Sequence, residues 1–264
     1  LGGTAGRTTL NGEGLQHEDG HSLVWASSVP NCISYDPTFS YELAVIMHDG
    51  LTRMFQNQED VFYYLTVMNE NYVHPAMPEG VEADILKGMY LFQEAEKSKA
   101  PRVQLLGSGT IFNESIAAAE LLNDDWGVKA DLWSCPSFVE LARDGQACER
   151  ANRLNPGKAK QISHVERCLA ERSGPVVAST DYIRMLAEQI RPYVKNSYTV
   201  LGTDGFGRSD TRENLRRFFE VDRFYITIAA LHALVEEGQL TDAVLKKAIK
   251  KYGIDTTRNA PWTV

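Results

Sequence analysis

The stretch GLQHEDGHS contains His17, Glu18 and His21 in the pattern H-E-x-x-H, which is typical of zinc-dependent hydrolases. In that pattern an α-helix places both imidazoles on one face, so that they bind one metal while the glutamate polarises a water. Here Gly20 lies between the two histidines, and Asp19-Gly20 is a turn signal that disfavours a helix. We therefore predict a polar loop that presents its side chains, and we keep a zinc hydrolase using His17 and His21 as an alternative.

The same loop collects groups that could move a proton. Glu13, His17, Glu18, Asp19 and His21 lie within nine residues and are interspersed with glycines. A histidine beside acids can donate a proton near neutral pH, because the reference pKa of its side chain is about 6.5. A solvated acidic turn would explain the same residues, so both interpretations stay open at this point.

Two glycine-rich turns could bind an anion. Gly107-Ser108-Gly109 separates a predicted strand from a predicted helix, where backbone amides can meet a phosphate. It lacks the third glycine of G-x-G-x-x-G and a Walker lysine, and a tight strand-to-helix turn needs glycine in any case. The segment from Gly202 to Asp210 follows another predicted strand, at the kind of position where ligands collect in parallel sheets. An ordered loop packed against another domain or subunit is equally consistent with that segment.

Composition limits the class of protein. The 264 residues are 43% hydrophobic and 23% charged, which is typical of a soluble globular chain with one large domain or two smaller ones. A net charge of -8 argues against a nucleic-acid partner, and no apolar run approaches the roughly 20 residues of a membrane helix. We expect reduced thiols in a cytoplasmic protein, because no C-x-x-C pair occurs among Cys32, Cys135, Cys148 and Cys168.

The first part of the chain predicts two strands and one helix. A short strand is expected around Ile33, and Pro37 suits the first turn of the helix that follows. Residues 60–72 are rich in β-branched and aromatic side chains and predict a buried strand. Prolines and a glycine make 73–80 the best candidate for a domain boundary. The residues expected to form the core face of the helix are Leu43, Ile46, Met47, Met54 and Phe55.

Beyond residue 80, predicted strands and helices alternate. Strands are expected within 102–109, 128–138, 174–181 and 197–207, and helices within 110–124, 139–152 and 182–194. Such alternation predicts an α/β fold with a mostly parallel sheet and helices on both faces.

Several long stretches resemble one family. They read GRTTLNGEGLQHEDGHS, PNCISYDPTFSYELAVIMHDGL, NENYVHPAMPEG, ELARDGQACER and VLGTDGFGRSDTRENLR. They resemble the C-terminal part of the bacterial homodimeric pyruvate dehydrogenases, the thiamine-diphosphate-dependent decarboxylating components within the transketolase-like superfamily. The resemblance runs from residue 1 to the end of the chain. Because the sequence also starts in mid-loop without a methionine, we expect it to be part of a longer polypeptide.

The resemblance implies a domain arrangement. Residues 1–77 are expected to end an α/β domain that binds the thiamine pyrimidine, and residues 78–264 to form a transketolase-like C-terminal domain for dimerisation and scaffolding. The family's G-D-G motif for Mg²⁺ and the diphosphate is not in this sequence, and the glutamate that activates the aminopyrimidine lies upstream of it. The complete enzyme would therefore hold thiamine diphosphate and Mg²⁺, whereas this chain alone is expected to hold neither and to be inactive.

The resemblance also implies an activity and site residues. The complete enzyme would be a cytoplasmic homodimer that decarboxylates pyruvate and reductively acetylates a lipoyl group on dihydrolipoyl acetyltransferase. His17 matches a histidine that faces the substrate, Glu13 matches a nearby acidic position, and His21 matches a supporting position. The sequence departs from its relatives around Trp25, which leaves the match at His17 intact. A non-catalytic α/β dimerisation module is the alternative from another class.

Overall fold

The computed structural model describes residues 2–4, 6–10 and 14–264, which form two β-sheets surrounded by helices. The strands are β1 (Gly2–Thr4), β2 (Cys32–Tyr35), β3 (Phe62–Val67), β4 (Tyr90–Gln93), β5 (Arg102–Gly107), β6 (Lys129–Ser134), β7 (Val176–Ser179) and β8 (Tyr198–Leu201). The α-helices are α1 (Ser22–Ser27), α2 (Ser40–Leu51), α3 (Glu82–Lys87), α4 (Ile111–Trp126), α5 (Phe138–Leu154), α6 (His164–Leu169), α7 (Met185–Glu188), α8 (Arg212–Phe218), α9 (Arg223–Glu236) and α10 (Asp242–Lys251). Short 3-10 turns span Leu15–His17, Arg191–Tyr193 and Pro261–Thr263, and a π-helical turn spans Thr52–Gln56.

The smaller sheet has the order β1-β3-β2, and its strands are parallel. Its core includes Ile33 and Tyr63 from the sheet and Ile46 from α2. Ile85 and Tyr90 join the same cluster, although they lie beyond residue 77. The division of the chain at 77/78 stays a prediction.

The larger sheet has the order β4-β6-β5-β7-β8. All its pairs are parallel except β4 with β6, so the predicted mostly parallel sheet is confirmed. Leu105 and Leu106 are neighbours on β5 and belong to different core clusters, because successive side chains of a strand point to opposite faces. Phe138 of α5 packs in one cluster and Phe112 of α4 in the other, so helices cover both faces as predicted.

The start of α2 differs from the prediction. The helix begins at Ser40, so Pro37 precedes it instead of occupying its first turn. The buried carboxylate of Glu42 accepts hydrogen bonds from the amides of Thr38 (2.5 Å) and Phe39 (3.0 Å). This side chain satisfies amide groups at the helix start and thereby sets where the helix begins.

The predicted core face of α2 is wrong in its second half. Ile46 is buried, but Met47, Met54 and Phe55 are 51%, 36% and 80% exposed. The buried positions of the helix are Glu42, Ile46 and Gly50, at a spacing of four, and the π-helical turn after Leu51 changes the register of the following residues. An apolar pattern with a period of 3.6 residues could not anticipate a buried carboxylate or that change of register.

The single helix predicted over 182–194 is also wrong. The structure has the four-residue α7 followed by the 3-10 turn Arg191–Tyr193. Pro192 lies in that turn, and a proline has no amide hydrogen with which to continue an α-helix. The antiparallel edge strand β4 and the short helices α3 and α6 were not predicted.

The predicted free thiols are confirmed. Cys32 and Cys135 are buried, Cys148 and Cys168 are partly buried, and all four are unpaired. Within the ranges described above, the helices are all too short or too polar to cross a membrane.

Candidate functional site

The H-E-x-x-H stretch does not form the helix that a zinc site of this type requires. His17 ends a 3-10 turn in which its amide donates to the carbonyl of Gly14 (2.9 Å), and its side chain is exposed. His21 lies after a bend, at the start of α1. The two imidazoles therefore do not share one face of a regular helix. Within the part of the chain that the structure describes, no group of three or more His, Cys, Asp or Glu side chains is arranged to hold a metal ion.

Asp19 stabilises the start of α1. Its Oδ1 accepts hydrogen bonds from the amides of His21 (2.9 Å) and Ser22 (3.0 Å), and its Oδ2 accepts one from the hydroxyl of Ser22. A carboxylate at this end of a helix satisfies unpaired amides and interacts favourably with the helix dipole. Asp19 thus has a local structural role in the loop of residues 14–21, which we call the opening loop.

Arg7 joins the opening loop to the end of the larger sheet. Its buried guanidinium donates from Nη1 to the carbonyls of Thr203 (2.6 Å) and Gly205, and from Nε to the carbonyl of Glu18 (3.4 Å). Burial lowers the pKa of Arg7, and the negative charges of nearby acids, Asp19 foremost, act in the opposite direction. The side chain remains a cation that holds two loops together.

The contact with Arg7 determines the protonation of His21. Nδ1 of His21 lies 3.2 Å from Nη2 of Arg7. Because a guanidinium can only donate hydrogen bonds, Nδ1 must accept and the imidazole proton must be on Nε2. Burial, followed by the charge of Arg7, lowers the pKa of His21, and its ring stacks on Trp25 with centroids 5.8 Å apart. This geometry supports a role for His21 as a neutral supporting residue.

The glycine-rich segment after β8 packs against the opening loop. A Cβ atom on Gly207 would lie 2.4 Å from Cβ of the buried Glu18 and 3.6 Å from the carbonyl oxygen of Leu15. Only glycine permits this approach without displacement of the neighbouring side chain. Of the two interpretations of this segment, the structure therefore shows an ordered loop that packs against residues near the start of the chain.

The turn at Gly107-Ser108-Gly109 is filled by a carboxylate. The hydroxyl of Ser108 donates to Oδ2 of Asp36 (2.8 Å), and the amide of Gly109 donates to the carbonyl of Asp36 (3.1 Å). Gly109 has φ +53°, and a Cβ there would lie 2.6 Å from Oδ2 of Asp36. Burial raises the pKa of Asp36 to about 7, against the lowering effect of hydrogen bonds from Thr66 and Ser108. The glycines of this turn serve close packing between the two sheets.

A second buried acid fixes the segment 6–10. Asp181 follows β7, and its carboxylate accepts hydrogen bonds from the amide (3.0 Å) and hydroxyl (2.7 Å) of Thr8 and from the hydroxyl of Thr9 (2.6 Å). Burial raises the pKa of Asp181, and these hydrogen bonds counteract the increase. The opening segments of the chain therefore lie at the carboxyl end of the larger sheet, where ligands of parallel sheets are usually bound.

A cleft of about 710 Å³ lies elsewhere, beside α8 and α9. Its charged side chains pair with one another: Glu114 binds Arg223 (2.9 and 3.0 Å), and Arg216 binds Glu70. The residues of the opening loop do not line it. We therefore place the candidate site at the opening loop.

Of the two predicted catalytic residues, His17 is presented on the surface of the opening loop, whereas Glu13 lies outside the described residues. The sequence interpretation missed Arg7, Asp36 and Asp181. Asp36 and Asp181 could have been noticed in the sequence, because each lies one or two residues beyond the end of a strand. Arg7 has no comparable local pattern.

Comparison with protein families gives two matches. The profile described as "Pyruvate dehydrogenase E1 component middle domain" matches residues 1–75. The profile described as "Transketolase-like TK C-terminal domain" matches residues 88–222.

The alignments with curated relatives cover almost the whole chain. The pyruvate dehydrogenase E1 component of Cupriavidus necator is 66% identical over 100% of this chain. Those of Pseudomonas aeruginosa and Escherichia coli K12 are 60% and 54% identical, each over 99% of it. The chain spans only 29–30% of the length of these relatives.

Solved structures agree on the fold. A transketolase from Pichia stipitis has a TM-score of 0.62 with 16% identity, and the match covers 89% of this chain and 30% of that one. A transketolase from Campylobacter jejuni has a TM-score of 0.59 with 16% identity, over 88% of this chain and 30% of that one. At this level of identity the likeness concerns the fold alone. The family profile over residues 88–222 shows that the chain belongs to the transketolase-like C-terminal domain family, and along its length the chain is similar to pyruvate dehydrogenase E1 components.

Proposed function

We propose that the chain is part of a thiamine-diphosphate-dependent pyruvate dehydrogenase and contributes His17 to its active centre. The observation that carries this proposal is 66% identity over the whole chain to a pyruvate dehydrogenase E1 component. The complete protein would decarboxylate pyruvate oxidatively and acetylate a lipoyl group on dihydrolipoyl acetyltransferase. Residues 1–77 would close the pyrimidine-binding domain, and residues 78–264 would form the C-terminal domain.

His17 is suited to contact a substrate. It is exposed, and backbone hydrogen bonds on both sides hold its position: its amide donates to Gly14, and its carbonyl accepts from the amide of Asp19 (2.9 Å). An imidazole can stabilise a carboxylate or transfer a proton near neutral pH. Glu13 is the second proposed catalytic residue, on the resemblance alone.

The described residues do not fit the diphosphate and Mg²⁺ of the cofactor. The strand-end turn that could cradle a phosphate instead holds the side chain of Asp36, which occupies the space that an anion would need. We propose that other parts of the complete protein hold the cofactor, which supplies the electron sink for decarboxylation. The role of this chain is then confined to the substrate side and to scaffolding.

We further propose that the complete enzyme is a cytoplasmic homodimer. The four unpaired thiols are typical of a reducing compartment. The exposed Met47, Leu51 and Phe55 on and after α2 provide an apolar surface that further protein could cover. The same surface favours the second candidate function, a non-catalytic dimerisation module.

The substitution His17→Ala in the complete enzyme tests the proposal. We expect kcat to fall at least about tenfold, because general acid–base groups contribute factors of this size or more, with little change in thiamine diphosphate affinity. His232→Ala is the matched control, since His232 is also exposed but lies on α9. Unchanged turnover in His17→Ala would remove His17 from the active centre and leave the dimerisation module as the function of this chain.

A further inference from the structure

Arg7 is a buried cation held by neutral acceptors. Only 3% of the residue is exposed, and no carboxylate oxygen of the described residues lies within 4.0 Å of its guanidinium. Burying a charge is unfavourable unless it is well hydrogen-bonded. The hydrogen bonds of Arg7 offset this cost only while its acceptors stay in place, so they fix the positions of those acceptors relative to one another.

The acceptors of Arg7 come from two distant segments. Thr203 and Gly205 lie 196 and 198 positions after Arg7 in the chain, whereas Glu18 and His21 belong to the opening loop. Gly20 leaves room for this contact, because a Cβ atom there would lie 2.4 Å from Nε of Arg7. The guanidinium thus fits against the backbone of the loop directly beyond His17.

The nearby acids are engaged with other partners. Asp19 caps α1, Asp181 accepts hydrogen bonds from Thr8 and Thr9, and Asp204 pairs with Arg184 (3.1 Å). Arg7 therefore directs its donors to carbonyl groups and to the ring of His21. We propose that Arg7 is a positioning residue, which holds the opening loop on the turn after β8 so that His17 is presented in one place. This inference rests on the proposed role of His17.

A double-mutant cycle in the complete holoenzyme tests the inference, using Arg7→Met, His17→Ala and the combination. If Arg7 acts through His17, Arg7→Met lowers kcat about tenfold in the wild-type background, with a smaller change in KM for pyruvate. In the His17→Ala background the same change alters kcat by less than about twofold, because linked residues are non-additive. Equal losses in both backgrounds would overturn the inference. Unchanged turnover in His17→Ala would instead contradict the proposed function.

Two further variants separate positioning from folding. Arg7→Lys keeps the charge with fewer donors, so we expect partial recovery of kcat. Arg184→Met is the matched control, because Arg184 contacts the same turn through Asp204 but does not touch the opening loop. A loss in Arg184→Met as large as that in Arg7→Met would show a general effect of the turn and overturn the inference.

Nitrogen NMR of the complete enzyme, with ¹⁵N introduced only into histidine, gives a readout that does not depend on activity. In the wild type, His21 should show one tautomer, with the proton on Nε2. In Arg7→Met and Arg7→Lys we expect a mixture of tautomers at His21, while the exposed ring of His232 stays unchanged. A single Nε2–H tautomer in both variants would contradict the positioning role of Arg7.

Discussion

The hydroxyl of Ser108 donates a 2.8 Å hydrogen bond to the buried carboxylate of Asp36. Ser108 follows β5 of the larger sheet, and Asp36 follows β2 of the smaller one. This bond therefore joins the carboxyl ends of strands from the two sheets. It also explains why the glycine turn around Ser108 is tight, since the turn receives a carboxylate from its own chain.

The buried Asp36 predicts a dependence of stability on pH. Burial raises the pKa of its carboxyl to about 7 in the folded chain, above the value of about 3.9 in an unfolded one. Between these values the folded state binds more protons than the unfolded state, so this group's contribution to the free energy of unfolding falls as pH rises. Asp181 and Glu42, which lie near Asp36, have raised pKa values as well and contribute in the same direction.

Asp36→Asn should flatten that dependence. The loss of one titrating carboxyl changes the slope of the unfolding free energy by at most about 1.4 kcal/mol per pH unit. Chemical denaturation from pH 4 to 8 measures the slope in both proteins, with Glu213→Gln as an exposed control. An identical slope in Asp36→Asn and wild type would show that Asp36 does not titrate in this range.

Gly207→Ala should destabilise the contact between the opening loop and the segment after β8. The added methyl group would lie 2.4 Å from Cβ of Glu18, so one of the two segments must move. Overpacking of this kind costs about 1–3 kcal/mol, measurable by urea denaturation. Gly50→Ala is the control. Gly50 lies in α2, and its added methyl group would lie 3.4 Å from the ring of Tyr63, which is an ordinary van der Waals contact. Equal stability of Gly207→Ala and wild type would mean that this contact is looser than the structure shows.

The 264-residue chain should not bind thiamine diphosphate. The strand-end turn at Gly107-Ser108-Gly109 is filled by Asp36, the turn after β8 packs against Glu18, and the described residues offer no cluster suited to Mg²⁺. Isothermal titration with thiamine diphosphate and Mg²⁺ measures this directly, with the complete enzyme as the positive control. A micromolar, Mg²⁺-dependent isotherm for the chain alone would contradict the expectation.

The α/β architecture could be predicted from local patterns. β5, β6, β7 and β8 lie within four runs of apolar and β-branched residues, and the ends of α4 and α5 fall within two residues of the ends predicted for them. These patterns report on short-range preferences and on the periodicity of burial, both of which are visible within a window of about 11–18 residues. The prediction failed for the start and part of the core face of α2 and for the single helix over 182–194, where a buried carboxylate, a π-helical turn and a proline override the pattern.

By itself, the sequence determined the class of fold and a histidine-bearing loop near residue 17. Only the tertiary structure decided what that loop is attached to. Arg7 meets the carbonyl of Thr203 across 196 positions, and Thr8 meets Asp181 across 173. Such contacts have no periodic signature, because each depends on one pair of groups that the folded chain brings together. The chemistry of the loop is therefore local in sequence, whereas its position depends on a buried cation and buried carboxylates from distant parts of the chain.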